Sequence, residues 1–305
     1  MPAAFFQVKP EVEDALQYGK AVVALESTLL CHGLPWPDNF QLAQQLNGTI
    51  LGSEATPAGI AVLDGKVHIG LEEHDLERLC RDGVQAIKTA SRDLGWVLAR
   101  KVMGATTVSA TMRLAHQAGI RFFATGGIGG VHREGEQTLD VSADLVELSR
   151  TPVVVVSAGA KIILDLGRTL EYLETMGVPV IGYGTAYFPS FYSASSSWQV
   201  PYQADTLDAL ATVIHQHFSL GLPSGMLIAN PIPVEHEIPS VVLEAWVHQA
   251  LLSIREQGIH GKQITPFLLD YLHRHSNGRT VQANIALVLN NARLAAQLAV
   301  RMQSV

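Results

Sequence analysis

Arg121–Asp165 reads RFFATGGIGGVHREGEQTLDVSADLVELSRTPVVVVSAGAKIILD, and its layout decides the fold class. Two apolar runs, Phe122–Ala124 and Val153–Val156, have the unbroken hydrophobicity of strands buried on both faces. Each gives way at once to small residues, Thr125-Gly126-Gly127-Ile128-Gly129-Gly130 after the first and Ser157-Ala158-Gly159-Ala160 after the second. In an open α/β sheet, ligands sit beyond the carboxyl ends of the strands. Glycine there lets the backbone come close to a ligand. His132, Arg133, Asp140, Asp144 and Lys161 fall in the same stretch, a dense polar set beside two buried strands.

Outward from this centre, strands and helices alternate. Ala21–Leu25 predicts a strand that ends in Glu26-Ser27-Thr28. His32–Pro37 reads as a loop, and Asp38–Leu51 predicts a helix. Thr56–Leu63 and Lys66–Ile69 form a hairpin across Asp64-Gly65. Gln85–Thr89 is a strand carrying Lys88. Arg92–Met103 and Thr107–Gln117 read as helices around the turn Gly104-Ala105-Thr106, and Lys161–Leu166 and Thr169–Met176 as two more. Pro179–Tyr183 and Gly225–Ala229 are further strands, and Val241–Gln257, Pro266–Ser276 and Val281–Met302 are further helices. The pattern predicts an α/β fold, a three-layer α/β/α arrangement around a mixed, largely parallel central sheet. No repeat or linker stands out, so residues 1–305 are expected to form a single catalytic domain. Thr185–Gln203 contains Tyr187-Phe188-Pro189-Ser190-Phe191-Tyr192 and has no clean period; it reads as a long loop or lid.

Hydrophobic residues make up 48% of the 305-residue chain and charged ones 16%, a composition that folds. The net charge of −7 argues against the basic surface of a nucleic-acid binder, while a few placed cations can still serve a small anionic ligand. Two cysteines, Cys31 and Cys80, imply no disulfide framework and point to a reducing cytoplasm. Met1–Lys20 lacks the plan of a signal peptide, so none is expected. No apolar run approaches the roughly 20 residues of a membrane helix.

Several polar groups are candidates, each with a plainer alternative. Lys161, among small and apolar neighbours, is either a poorly hydrated amine able to attack a carbonyl carbon or a lysine reaching to water. A place in the first turn of a helix would favour the neutral amine. Lys88, in an otherwise buried strand, needs a carboxylate or a phosphate as partner. Glu26 is either a general acid facing an apolar pocket or a cap for the next segment. Asp140 and Asp144, four apart, share a helix face if one helix holds both, whereas with Ser142 as a helix start Asp144 falls in the first turn; two carboxylates with waters suit Mg²⁺ or Mn²⁺, and helix capping is the plainer role. Gly126–Gly130 lacks the lysine of a P-loop and the spacing of a dinucleotide fingerprint, yet can form an anion nest, with Arg133 adding a bidentate contact. His215/His217 and His273/His275 are two apart in helical surroundings and do not share a face, so neither is read as a metal site.

At Glu26, Lys88, Asp140-Val141-Ser142-Ala143-Asp144 and Gly159-Ala160-Lys161 the chain resembles the pseudouridine-5′-phosphate glycosidase family. The likeness runs from about Val12 to the last helix. It includes Val23-Ala24-Leu25-Glu26-Ser27-Thr28, Gly104-Ala105-Thr106-Thr107-Val108, Ala124–Arg133, Glu171–Thr175, Ala229-Asn230-Pro231-Ile232-Pro233 and Thr265–Leu269. Departures fall in Ser193–Gln199 and Asn47–Gly52. The resemblance implies a trimeric α/β/α enzyme that uses a divalent ion, usually Mn²⁺. It implies reversible cleavage of the C1′–C5 bond of pseudouridine 5′-phosphate to uracil and ribose 5-phosphate, a C-glycosidic carbon–carbon bond hydrolase or hydro-lyase activity. By motif match, Lys161 is the covalent nucleophile, Glu26 the proton donor and Asp140 the metal ligand. Lys88, Val108, Ser142, Ala143 and Asp144 line the substrate site, with His132 and Asn284 close by. A C-glycoside has no stabilised nitrogen leaving group, so paired carboxylates alone would not suffice; an opened sugar exposes C1′ to a lysine amine. Two other readings keep parts of this set: a Schiff-base lyase or aldolase on another sugar phosphate, and an inactive sugar-phosphate sensor.

Overall fold

The computed structural model describes residues 5–133, 135–259 and 264–304, leaving aside the side chains at 136, 137, 264–266, 269 and 270. Residues 1–4 and 305, which the expected single domain includes, lie outside them. The strands are β1 (Phe6–Val8), β2 (Val22–Leu25), β3 (Thr56–Leu63), β4 (Lys66–Ile69), β5 (Ile87–Thr89), β6 (Gly104–Thr106), β7 (Phe122–Ala124), β8 (Val131–His132), β9 (Val154–Ser157), β10 (Leu164–Asp165), β11 (Val180–Tyr183), β12 (Tyr202–Ala204) and β13 (Met226–Ala229). Every residue of β2, β7, β9 and β13 is buried. Strands covered on both faces show no polar alternation, which explains their continuous apolar runs.

Neighbouring strands run parallel in the order β3-β2-β7-β9-β13-β11-β12. β3 serves two ladders. Thr56–Gly59 pairs with β2, and Ile60–Leu63 pairs antiparallel with β4, while Ala61 and Val62 also pair with β6. β1 and β5 then join β4 and β6 in parallel. The sheet is therefore mixed and largely parallel, as expected. From β2 the chain steps to β3 on one side and later returns through β7 on the other. Winding reverses between β2 and β7, where such a sheet opens a crevice at its carboxyl edge.

Helices cover the sheet. Arg279–Arg301 lies across β2, β7 and β9, beside Asp38–Leu51 and Leu207–Ser219. Its buried residues Ala283, Leu287, Asn291, Ala295 and Leu298 recur every three or four positions, one stripe turned to the strands. Val108–Gln117 packs against β2, β3 and β6, with Ala143–Leu148 alongside. Among the described residues no helix is long and apolar enough to cross a membrane.

Four local expectations change. Gly104-Ala105-Thr106 is strand β6 and not a turn; three residues carry no period, and the pairing comes from distant β3 and β5. Thr28–His32, partly read as loop, is a short helix. Of Lys161–Leu166, expected as a helix, Lys161–Asp165 is not helical: Leu164–Asp165 pairs with β8, and the Asp165 side chain accepts from Arg168 N at 3.0 Å to start the helix Leu166–Thr175. Thr185–Gln203 keeps the loop expected of it as far as Pro201, with β12 taking its end, and differs only in being packed. Phe188, Phe191 and Tyr192 are buried, Phe188 N donates to Trp198 O at 2.8 Å, and Phe191 N donates to Ala158 O at 3.0 Å.

Phe123 at the centre of β7 is fully buried, so Phe123→Ala is expected to lower unfolding free energy by about 3–5 kcal/mol. Urea denaturation of the two proteins measures this; a loss below 1 kcal/mol would contradict the packing.

Candidate active site

Strand register builds the centre of the site. Leu25 pairs with Ala124 and Ala124 with Val156, so the next residues, Glu26, Thr125 and Ser157, end three adjacent strands side by side. Thr125 Oγ1 donates a hydrogen bond to Glu26 Oε1. Glu26 is 8% exposed. Burial pushes its carboxyl above the ordinary 4.5, and the nearby Asp144 carboxylate pushes the same way. The Lys161 ammonium, the Thr125 hydrogen bond and, more weakly, Lys88 oppose the rise without cancelling it. A carboxyl that holds its proton beside two cations can deliver it to a substrate atom.

Lys161 is half-buried, and its charge acts on Glu26 more strongly than any other. The helix-dipole argument for Lys161 lapses, because the residue opens a turn that leads to β10. What fixes its backbone is the glycine turn: Lys161 N donates to Ile128 O at 3.1 Å, and Ile128 N donates to Gly159 O at 3.0 Å.

The glycine turn differs from an anion nest. None of Gly126, Gly127, Gly129 and Gly130 has a positive φ, and the amides of Ile128 and Gly129 are spent on protein acceptors. The glycines are there for closeness. A Cβ at Gly127 would lie 2.6 Å from the Phe191 ring, one at Gly129 would overlap Ser142 and Asp144, and one at Gly130 would overlap Thr169. Phe191, from the segment first read as a lid, is thus part of the site's wall.

Asp140 and Asp144 do not share a helix face. Asp140 precedes the helix Ala143–Leu148, whereas Asp144 lies in its first turn with Ser142 as N-cap, Ser142 Oγ accepting from Asp144 N at 3.2 Å. Both Asp144 oxygens are engaged: Oδ1 accepts from Ser109 N at 2.9 Å and Oδ2 from Gly129 N at 2.8 Å. The helical pairing expected of the two carboxylates is thus replaced by one at the helix start and one ahead of it. Asp140 is half-exposed, 3.9 Å from His132 Nδ1. His132 favours its neutral form because burial outweighs the pull of Asp140, and Lys88 adds to the effect of burial. Among the described residues no group of three His, Cys, Asp or Glu side chains converges as a metal cage.

Lys88 lies on an exposed stretch of β5, contrary to the buried strand expected, yet its charge reaches Glu26, His32 and His132. Val108 opens the helix Val108–Gln117, buried beside Asp144's partner Ser109. Arg133 is turned elsewhere: its guanidinium binds Glu244 at 3.1 Å, which occupies the fork expected for a ligand. Asn284 stands against Gly126, and its Oδ1 is buried without a hydrogen-bond partner. Thr125 and Asn291 were not singled out as site residues. Asn291 Nδ2 donates to Thr125 O at 2.8 Å and its Oδ1 accepts from Asn230 Nδ2 at 2.9 Å, tying the last helix to the strand ends. An asparagine on the apolar stripe of that helix was the available signal.

Comparison with known proteins gives a consistent picture. Residues 11–301 match the family model described as indigoidine synthase A like protein. A pseudouridine-5′-phosphate glycosidase of Geobacillus kaustophilus is 51% identical over 97% of this chain and 98% of its own. The one of Clostridium botulinum is 45% identical over 98% and 97%. The crystal structure of the prealnumycin C-glycosynthase AlnA in complex with ribulose 5-phosphate superposes with a TM-score of 0.93 at 36% identity, covering 99% of this chain and 98% of that one.

Burying Glu26 has a stability signature with a definite sign. Below pH 4.5 both folded and unfolded chains hold the proton. As pH rises past this value the unfolded chain releases it first, so the folded state loses stability. Glu26→Gln is expected to melt higher than wild type at neutral pH, with the gap closing toward about pH 4, while turnover falls roughly 10²–10⁴-fold. Melting curves against pH check this; a gap that widens on acidification would contradict it.

Proposed function

The chain belongs to the indigoidine synthase A like family, together with the pseudouridine-5′-phosphate glycosidases, and on that premise we propose that it cleaves pseudouridine 5′-phosphate reversibly to uracil and ribose 5-phosphate. The observation that carries this reading is the pairing of a half-buried lysine with a buried, proton-holding carboxyl at the sheet's switch point. The C1′–O4′ bond breaks, O4′ leaving with a proton and uracil N1 losing one, so that C1′ becomes an electrophilic carbon conjugated to the base. The Lys161 amine adds there, and Glu26 gives its proton to C5 of uracil as the C1′–C5 bond breaks. Water then hydrolyses the imine, freeing the sugar phosphate and the lysine. The net change is cleavage of a carbon–carbon bond with addition of water, a C-glycosidic hydrolase reaction, and its reverse, which loses water, is that of a hydro-lyase. Thr125 orients the Glu26 carboxyl. Lys88 supplies a cation for the phosphate or the sugar oxygens, with Val108, Ser142 and Ala143 along the wall. Asn284, whose Oδ1 lacks a protein partner, would face the base.

A divalent ion, Mn²⁺ by preference, belongs to this proposal. The half-exposed Asp140 carboxylate suits an ion that keeps most of its shell as water. Asp140 would hold it near His132, where it would polarise water and substrate oxygens. A homotrimer in the cytoplasm completes the proposal. The free, buried thiols of Cys31 and Cys80 support the compartment. The exposed side chains of Val84, Ile87 and Trp96 offer apolar surface for subunit contact.

Wild-type protein with pseudouridine 5′-phosphate and Mn²⁺ should release uracil, and Lys161→Ala should lower turnover by roughly 10³-fold or more. Borohydride added during turnover should leave the mass of a reduced ribose phosphate on wild type and none on Lys161→Ala; equal labelling of both would remove Lys161 from the role. Asp140→Asn should raise the Mn²⁺ concentration for half-maximal activity roughly tenfold or more. An unchanged Mn²⁺ requirement would place the ion elsewhere.

A further inference from the structure

The ring of Phe191 is held in place against the preference of its own backbone. Its φ of 59° is sparsely populated for an aromatic residue and persists only where the surroundings over-determine it. Here they do. Phe191 N donates to Ala158 O at 3.0 Å, and Ser190 N donates to Ser193 O at 3.0 Å. Glu237 Oε1 accepts from Ser193 Oγ at 2.8 Å and from Ala194 N at 3.1 Å, and Ile238 N donates to Tyr192 O at 2.9 Å. Two segments distant in sequence thus fix one buried side chain. What the ring meets explains the arrangement. A Cβ at Gly127 would lie 2.6 Å from Phe191 Cδ2, so the ring lies directly on that glycine. The point where a Gly126 Cβ would stand is 3.5 Å from Phe191 Cε2 and 3.4 Å from Asn284 Oδ1. Ring edge and amide oxygen therefore meet at one place, one residue beyond Thr125, which donates to the Glu26 carboxyl. Asn284 Oδ1 is buried without a hydrogen-bond partner. Leaving a buried acceptor unpaired is unfavourable, so such an atom beside a catalytic carboxyl marks where a ligand donor belongs. Uracil offers ring N–H donors and a flat edge, which suit an amide oxygen beside an aromatic wall.

We propose that Phe191 is the specificity-determining wall of the base subsite: its ring closes the space beside Asn284, so that one six-membered imide ring fits and larger bases are turned away. The inference rests on the glycosidase reading, with Asn284 facing the base, and names the residue that sets the size of that base. An apolar wall discriminates by shape, and one methylene in such a pocket changes relative rates roughly 10–200-fold. The sugar phosphate lies toward Lys88 and Lys161 in the same reading, so shortening Phe191 acts on the base and spares the sugar.

Phe191→Ala and Phe191→Leu test the wall in the synthetic direction, with ribose 5-phosphate and a choice of bases. The bases are uracil, 2-thiouracil, 3-methyluracil and 6-methyluracil, which enlarge three different edges of the ring and leave N1–H and C5 untouched. In both variants kcat/KM for at least one enlarged base, relative to uracil, should rise roughly tenfold or more over wild type. KM for ribose 5-phosphate should stay within about threefold, and borohydride trapping of ribose 5-phosphate on Lys161 without a base should match wild type. Equilibrium dialysis of uracil alone should show its Kd raised roughly tenfold in Phe191→Ala. Unchanged selectivity for all three enlarged bases overturns the proposal. So does a rise in KM for uracil and ribose 5-phosphate in step, which would make the ring merely structural. Should Phe191→Ala not fold, Phe191→Leu carries every measurement with the same expectations. A wild type that forms no pseudouridine 5′-phosphate sinks the glycosidase reading instead. The dialysis then still judges the wall, and equal uracil binding by wild type and variant, including none by either, overturns it.

Discussion

The site depends on a register. With Leu25 opposite Ala124 and Ala124 opposite Val156, the next residues, Glu26 after β2, Thr125 after β7 and Ser157 at the end of β9, come out in a row, and Thr125 donates to the carboxyl of Glu26. Parallel strands are obliged to end together on one side of a sheet, and the winding reverses here, so the crevice and the carboxyl coincide. Burying that carboxyl disfavours its charged form. Two cations nearby pull the other way, and the outcome is a carboxyl held above its ordinary value although Lys161 lies within electrostatic reach. The fold sustains this from strands whose side chains are wholly buried and from an asparagine, Asn291, that ties the strand ends to the last helix.

Around this centre, closeness takes the place of loop flexibility. Each glycine of Gly126–Gly130 marks where a neighbour sits: Phe191 over Gly127, Ser142 and Asp144 over Gly129, Thr169 over Gly130. Phe191 itself takes a positive φ of 59°, an unusual backbone for an aromatic residue, held by the hydrogen bond from its N to Ala158 O. The segment Thr185–Gln203 thus packs its Phe191 ring against the glycine turn that carries Lys161. Burial of the neighbouring Glu26 carboxyl is what moves it above its ordinary value.

Much of this was legible in the chain. The apolar runs at Ala21–Leu25, Phe122–Ala124, Val153–Val156 and Gly225–Ala229 announce buried strands, and the hairpin at Asp64-Gly65 announces the antiparallel edge. Glu26 and Lys161 stand out because each follows such a run into small residues. The rest was hidden for physical reasons. β6 is three residues whose partners are distant in sequence. The turn at Lys161 looks helical because Ile162-Ile163-Leu164 is apolar, yet those residues are buried by tertiary packing and lead into β10. Asp144 and Asp140 look like a pair at helical spacing, but the helix begins between them and Asp144 spends both oxygens on backbone amides. Arg133 looks like a phosphate ligand until Glu244, 111 positions away, occupies its guanidinium. No local pattern can announce a contact of that kind.

The account stands on Glu26 holding its proton where an ordinary glutamate has lost it. Isotope-edited infrared spectroscopy of the protein with labelled glutamate carboxyls, titrated from acid to neutral pH and compared with Glu26→Gln, reads this directly. We expect one protonated carboxyl band that persists well above pH 4.5, the group's ordinary value, and is missing from Glu26→Gln. A band for Glu26 that disappears at or below that value would contradict the account.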